Sequence, residues 1–78
     1  MAQRVVMYCR SWCPDCSRAR VWLHAHRIDF TEIDIEEQPQ AAERCRELAG
    51  KIVTPTFEID GVTVVDFDEP RLREMLLS

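Results

Sequence analysis

The run VVMYC, Val5 to Cys9, is the feature that most restricts the fold. It is continuous rather than alternating, and two of its five residues are β-branched, so it reads as a strand buried on both faces. Such a strand needs neighbours on either side and helices above and below it. The following segments supply them. From Pro14 the apolar residues Cys16, Ala19, Trp22, Leu23 and Ala25 fall mostly at helical spacing, with Arg20, His24 and Arg27 on the opposite stripe. Asp29 to Ile35 alternates, with Thr31, Ile33 and Ile35 on one face, and reads as a second strand. Pro39 opens a second helix with Ala41, Ala42, Cys45, Leu48 and Ala49 as its apolar stripe, and Gly50 is placed to end it in a left-handed conformation. TFEID and VTVVD flank Gly61, and Asp60-Gly61 is a hairpin turn signal. The last helix begins at Asp68, an N-cap candidate, with Pro70 in its first turn and Leu72, Met75 and Leu76 on one side.

The order strand, helix, strand, helix, hairpin, helix implies an α/β fold with a four-stranded mixed sheet. The first crossover makes a parallel pair, and the hairpin adds antiparallel strands. With 78 residues, positions 1–78 read as a single domain. Ten basic and fourteen acidic side chains give a net charge of −4. That balance argues against a nucleic-acid backbone or an anionic membrane as partner, since both require concentrated Lys and Arg. The apolar run before Arg10 is too short for a secretory signal or for a membrane span, which needs about 20 apolar residues. The expected compartment is therefore the cytoplasm, where thiols are kept reduced.

In SWCPDCS, residues 11–17, Cys13 and Cys16 are separated by two residues. Position decides between the uses of such a pair. Cys13 lies where a buried strand ends and a helix begins, with Pro14 at the first helical position. Its sulfur is then near unpaired backbone N–H groups and the positive end of the helix dipole, which favour thiolate. Cys16, one turn later on the apolar stripe, should point inward. An exposed nucleophilic thiol beside a sheltered resolving thiol is the arrangement that disulfide exchange requires. A zinc site needs four ligands; only Cys9 and Cys45 could complete a cysteine set, and His24 and His26 point in different directions on a helix. A structural disulfide closing so short a loop would add little stability. A small zinc-binding or interaction module is the rival reading from another class.

Other residues near the pair have two readings each. Cys9 is a buried structural thiol or a redox-sensitive neighbour, whereas Cys45 reads as core packing. Trp12 is a lid over the thiols or a substrate-contacting aromatic. Trp22 reads as packing, and His24 and His26 as solvated. Arg10 is a solvated loop charge, or it stabilises a thiolate and attracts a carboxylate. Thr54-Pro55 starts an edge strand, or is a cis peptide shaping a site.

Taken together, VVMYC, CPDC at a helix start, Thr54-Pro55 before a hairpin, and VVDFDEPRL after it resemble the glutaredoxins and the small glutaredoxin-like redoxins over essentially the whole chain. The resemblance implies the thioredoxin fold, with Cys13 as nucleophile and Cys16 as resolving cysteine. It implies a cis Pro55 facing the cysteines and a Thr54 backbone that pairs with the substrate's cysteinyl part. It also implies that Arg10 pairs with a glutathione carboxylate, and that Phe67 and Asp68 hold the γ-glutamyl end. The expected activity is dithiol thiol–disulfide exchange on proteins or on mixed disulfides with a low-molecular-weight thiol. No bound cofactor or metal is expected; glutathione is the expected co-substrate, a flavin-dependent thioredoxin reductase the alternative electron donor, and a monomer the working form. The single-cysteine CGFS pattern of iron–sulfur carriers is absent. Three residues depart from the family pattern. Asp15 replaces the usual aromatic between the cysteines and should raise the Cys13 pKa relative to a neutral residue. Asp66 replaces a glycine and places an acidic side chain at the floor of the glutathione groove. Thr54 replaces valine before the proline, a milder change because its role is through the backbone.

Overall fold

The computed structural model describes residues 3–77. Seven elements follow in chain order: β1 (Val5–Cys9), α1 (Pro14–Ala25), β2 (Thr31–Asp34), α2 (Pro39–Ala49), β3 (Thr56–Ile59), β4 (Val62–Val65) and α3 (Glu69–Leu77). The sheet order is β2-β1-β3-β4. β1 runs parallel to β2, with Cys9 opposite Asp34, and antiparallel to β3, with Tyr8 opposite Thr56. β3 and β4 form the antiparallel hairpin. This is the thioredoxin fold, with the mixed four-stranded sheet that the element order implied.

All five residues of β1 are buried, and the period of two divides them between two cores. Val5, Met7 and Cys9 pack with Cys16, Ala19, Trp22 and Leu23 of α1 and Leu72 of α3. Val6 and Tyr8 pack on the other face with Ile35 and with Ala41 and Cys45 of α2. The helices thus cover both faces, as the continuous apolar strand requires.

Local chemistry explains the boundaries. Helix α1 ends in a Schellman motif: the Ile28 N–H reaches the Leu23 carbonyl at 3.0 Å and the Arg27 N–H reaches that of His24 at 3.0 Å. Arg27 takes the left-handed position at φ 57°. Gly50 caps α2 at φ 83°, as anticipated. Asp60 and Gly61 both have positive φ, the signature of a tight hairpin turn. Asp68 caps α3, its carboxylate accepting the Arg71 N–H at 3.2 Å. Strand β2 is shorter than the expected Asp29 to Ile35. Its end is drawn into a turn, because the Asp34 carboxylate accepts the Glu36 N–H at 2.8 Å and its carbonyl accepts those of Glu37 and Gln38.

Leu72 is fully buried beneath α3, whereas Leu77 on the same helix is 40% exposed. Leu72→Ala is expected to lower stability by about 2–5 kcal/mol, and Leu77→Ala to change it by less than about 0.5 kcal/mol. Equilibrium urea unfolding of both variants checks the docking of α3.

Candidate active site

The β1 strand ends at Cys9, and the chain crosses Arg10, Ser11 and Trp12 before α1 begins. Cys13 is the N-cap of that helix. Its Sγ accepts the Cys16 N–H at 3.3 Å, the place a serine or aspartate oxygen usually takes. The Cys13 thiol in turn donates to the Thr54 carbonyl at 3.5 Å. Thr54-Pro55 is a cis peptide, and Pro55 is buried.

These contacts pull the two thiols apart in acidity. At Cys13 burial opposes ionisation, but it is outweighed by hydrogen bonds from the Cys16 thiol, the Thr54 side chain and the Cys16 N–H, together with the Arg10 charge. The net effect lowers its pKa. At Cys16 burial dominates and pushes the thiol up to about 11, with hydrogen bonding to Cys13 and the proximity of its charge adding to the rise. Of the two thiols, Cys13 is thereby made the more acidic and Cys16 the less.

The placement of Cys13 corrects one expectation. It is not exposed: the residue is 7% accessible against 0% for Cys16. The Cys16 N–H and the Thr54 carbonyl both contact its sulfur. The Asp15 carboxylate forms an ion pair with Arg18 one turn along α1.

Arg10 is half-buried, and its guanidinium sits 5.3 Å from the centre of the Trp12 ring with Nη1 3.5 Å from the Thr54 hydroxyl. Trp12 is 64% exposed, and its indole N–H donates to Glu36 at 2.9 Å. It therefore stands outward on the rim, tethered to the β2–α2 turn. No motif in the sequence announced the Glu36 contact.

The structure brings Arg10, Trp12, Cys13, Cys16, Thr54 and Pro55 together. Phe67 and Asp68 adjoin them indirectly: the Asp66 N–H donates to the Pro55 carbonyl at 2.9 Å and ties the start of that segment to the loop. Phe67 is half-buried and meets Trp22 edge-on at 6.3 Å, and the Asp68 carboxylate is engaged as the α3 cap. Asp66 has φ 65°, a left-handed conformation in which glycine has no steric cost and Asp is one of the few side chains tolerated.

The remaining cysteines have separate environments. Cys9 is buried and donates to Glu32 at 3.3 Å; burial first, and that carboxylate second, push it up to about 12. Glu32 is held ionised by Arg20, with two contacts at 2.7 and 2.8 Å. Cys45 lies in the other core. His26 is half-buried on Trp22, with ring centres 4.6 Å apart, and so is not the fully solvated residue expected, because it caps α1 where the chain turns inward. Among the described residues no group of three or more His, Cys, Asp or Glu is placed to hold a metal ion.

A helix-capping cysteine of lowered pKa, a buried partner one turn on, and a cis-proline loop facing them are the features of a thiol–disulfide oxidoreductase. Residues 5–64 match the glutaredoxin family model. The chain is 32% identical over 65 residues to a glutaredoxin of Pseudomonas aeruginosa, covering 83% of this chain and 77% of that protein. It is 39% identical over 44 residues to the glutaredoxin-like protein NrdH of Lactococcus lactis, covering 56% of this chain and 61% of that protein. The crystal structure of a glutaredoxin from Methanosarcina mazei superposes with a TM-score of 0.82 at 27% identity, over 92% of this chain and 76% of that one. The chain belongs to the glutaredoxin family and is a glutaredoxin-like thiol–disulfide oxidoreductase.

Arg10 contributes to the lowered pKa of Cys13 through its charge, so its effect is open to screening. Arg10→Ala is expected to slow alkylation of Cys13 near neutral pH by about two- to fivefold. Added salt should shrink that difference, as read by mass spectrometry that resolves the labelled cysteine.

Proposed function

We propose that the chain is a dithiol oxidoreductase in which Cys13 is the nucleophile and Cys16 the resolving cysteine. The observation that carries this is the pair's opposed acidity at one helix N-terminus: Cys13 lowered, Cys16 pushed up to about 11. The Cys13 thiolate attacks one sulfur of a substrate disulfide. A new S–S bond forms, the substrate's bond breaks, and its other sulfur leaves as a thiolate that takes a proton. Cys16 then loses its proton and attacks the Cys13 sulfur, releasing the second substrate thiol and leaving a Cys13–Cys16 disulfide. Two electrons pass to the substrate.

The order of events has an electrostatic basis. Hydrogen bonding to Cys13 and its charge contribute to the high pKa of Cys16. Once Cys13 is in a mixed disulfide it carries no charge, and Cys16 becomes easier to ionise. The resolving thiol is thus restrained until there is something to resolve.

The substrates are disulfide-containing proteins and mixed disulfides with a low-molecular-weight thiol, in the cytoplasm, where a reducing pool is at hand. The Thr54 backbone would pair with the substrate's cysteinyl part, with Pro55 beside it. Arg10, Trp12, Phe67 and Asp68 would line the rest of the groove. The described residues include no helix long and apolar enough to cross a membrane. Glutathione is the proposed reductant, with Arg10 meeting one of its carboxylates.

A second reading, recharging by a flavin-dependent thioredoxin reductase, is favoured by Asp66. This exposed carboxylate stands two residues from the exposed Asp68, where an anionic tripeptide would have to approach. Turnover with glutathione and its reductase, against turnover with thioredoxin reductase, separates the two donors. Asp66→Gly should strengthen glutathione-dependent activity; an unchanged or lower rate contradicts the Asp66 argument.

Cys13→Ser is expected to abolish exchange, and Cys16→Ser to accumulate covalent mixed disulfides with substrate. Normal reduction of a protein disulfide by Cys13→Ser would refute the assignment.

A further inference from the structure

Three consecutive carbonyls in residues 53–55 each have a different partner. That of Thr54 accepts from the Cys13 thiol, and that of Pro55 from the Asp66 N–H. The Val53 carbonyl accepts from two donors: the Thr56 hydroxyl at 2.7 Å and the Cys45 thiol at 3.2 Å. The same thiol is 3.5 Å from the Thr56 hydroxyl oxygen. Thr56 is fully buried and is the only buried polar residue among those described; Cys45 is equally inaccessible.

The origin of these donors matters. Cys45 comes from α2, on the sheet face opposite α1 and the paired cysteines. Thr56 opens β3 and is fixed by pairing with Tyr8 on one side and Val65 on the other. Two rigid elements therefore grip the residue that immediately precedes Thr54. A valine at position 56 would nearly fill the same space but would leave the Val53 carbonyl with one donor fewer. The chain following that carbonyl carries both Thr54 contacts: its carbonyl to Cys13 and its hydroxyl to Arg10.

We infer that Cys45 and Thr56 are positioning residues, whose joint hold on the Val53 carbonyl sets where Thr54 stands against Cys13 and against an incoming disulfide. Neither residue touches the reacting sulfurs through a described hydrogen bond; both act through Val53. This rests on the reading of Cys13 as nucleophile and of Thr54 as the substrate-facing residue. It gives the Cys45 thiol a role that packing volume alone does not supply, and it makes position 56 more than the first residue of a strand. An alternative in which the two donors merely satisfy a buried carbonyl would cost stability on mutation and leave the chemistry alone.

The test uses the full chain and three variants, Thr56→Val, Thr56→Ser and Cys45→Ala, each checked for folding by urea unfolding. Two readouts are taken: KM and kcat for reduction of a protein disulfide, and the pH profile of Cys13 alkylation resolved by mass spectrometry. Thr56→Val is expected to raise KM by about fivefold or more with a smaller change in kcat. It should also move the alkylation midpoint upward by about half a pH unit, because the Thr54 side chain that favours the Cys13 thiolate is displaced. Thr56→Ser, which keeps the hydroxyl, should retain the parent KM within about twofold and leave the midpoint in place despite the lost methyl group. Cys45→Ala should shift both readouts in the same direction as Thr56→Val, and it decides the matter if that variant fails to fold. A folded Thr56→Val or Cys45→Ala protein with the parent KM and profile overturns the inference, as does a Thr56→Ser protein as impaired as Thr56→Val. Should Cys13 of the parent chain not be the fast-reacting thiol, it is the functional reading itself that fails, and the two failures are thereby told apart.

Discussion

Burial of β1 on both faces is the constraint from which the rest of the structure follows. With Val5, Met7 and Cys9 turned to one core and Val6 and Tyr8 to the other, the strand requires hydrogen-bonded neighbours on both sides and helices above and below. β2 and β3 supply the first, and α1, α3 and α2 the second. A strand so enclosed leaves its chain only at its end. There Arg10 to Trp12 lead directly into α1, and Cys13 becomes the cap of that helix. The reactive position is thus a consequence of the sheet's centre, delivered at the place where unpaired N–H groups concentrate.

The same local geometry assigns different chemistry to two identical side chains. Cys13 and Cys16 share a helix turn, yet one sulfur receives an N–H and lies near a guanidinium, while the other is buried more deeply and beside the first. Cys9, three residues before Trp12, shows what burial without such support does: its thiol is pushed up to about 12 beside the Glu32 carboxylate. Of the three thiols in this core, Cys9 and Cys16 are raised in pKa and only Cys13 is lowered. Selectivity among cysteines comes from backbone and charge, since intrinsic reactivity is equal.

Much of this was legible from residue pattern. Pro14 and Gly50 marked helix ends, Asp60-Gly61 the hairpin, and Asp68 a cap, because each of these residues acts through its own backbone or through contacts within a few positions. The inward turn of Cys16 followed from helical spacing. What escaped were contacts between distant segments and local side-chain choices that the pattern permits but does not impose. The Cys13 thiol meets the Thr54 carbonyl, 41 residues away. The tether of Trp12 depends on Glu36, and the pairing of Asp15 with Arg18 concerns a rotamer choice that spacing permits but does not impose. β2 ended early because the Asp34 side chain turned back on its own backbone, a competition that alternation alone does not reveal. Asp66 illustrates the converse. Its identity looked like a charge at a groove floor, and the backbone shows in addition a left-handed residue in a position glycine fills without strain.

The central claim is that the helix cap makes Cys13 the first thiol of this protein to ionise. A pH titration of the reduced chain by ultraviolet thiolate absorbance, run beside Cys13→Ser, tests it most directly. The account predicts one thiolate appearing below the range of free cysteine, about 8.5, and its loss in the variant. A first thiolate at or above that range, or one that persists in Cys13→Ser, would contradict it.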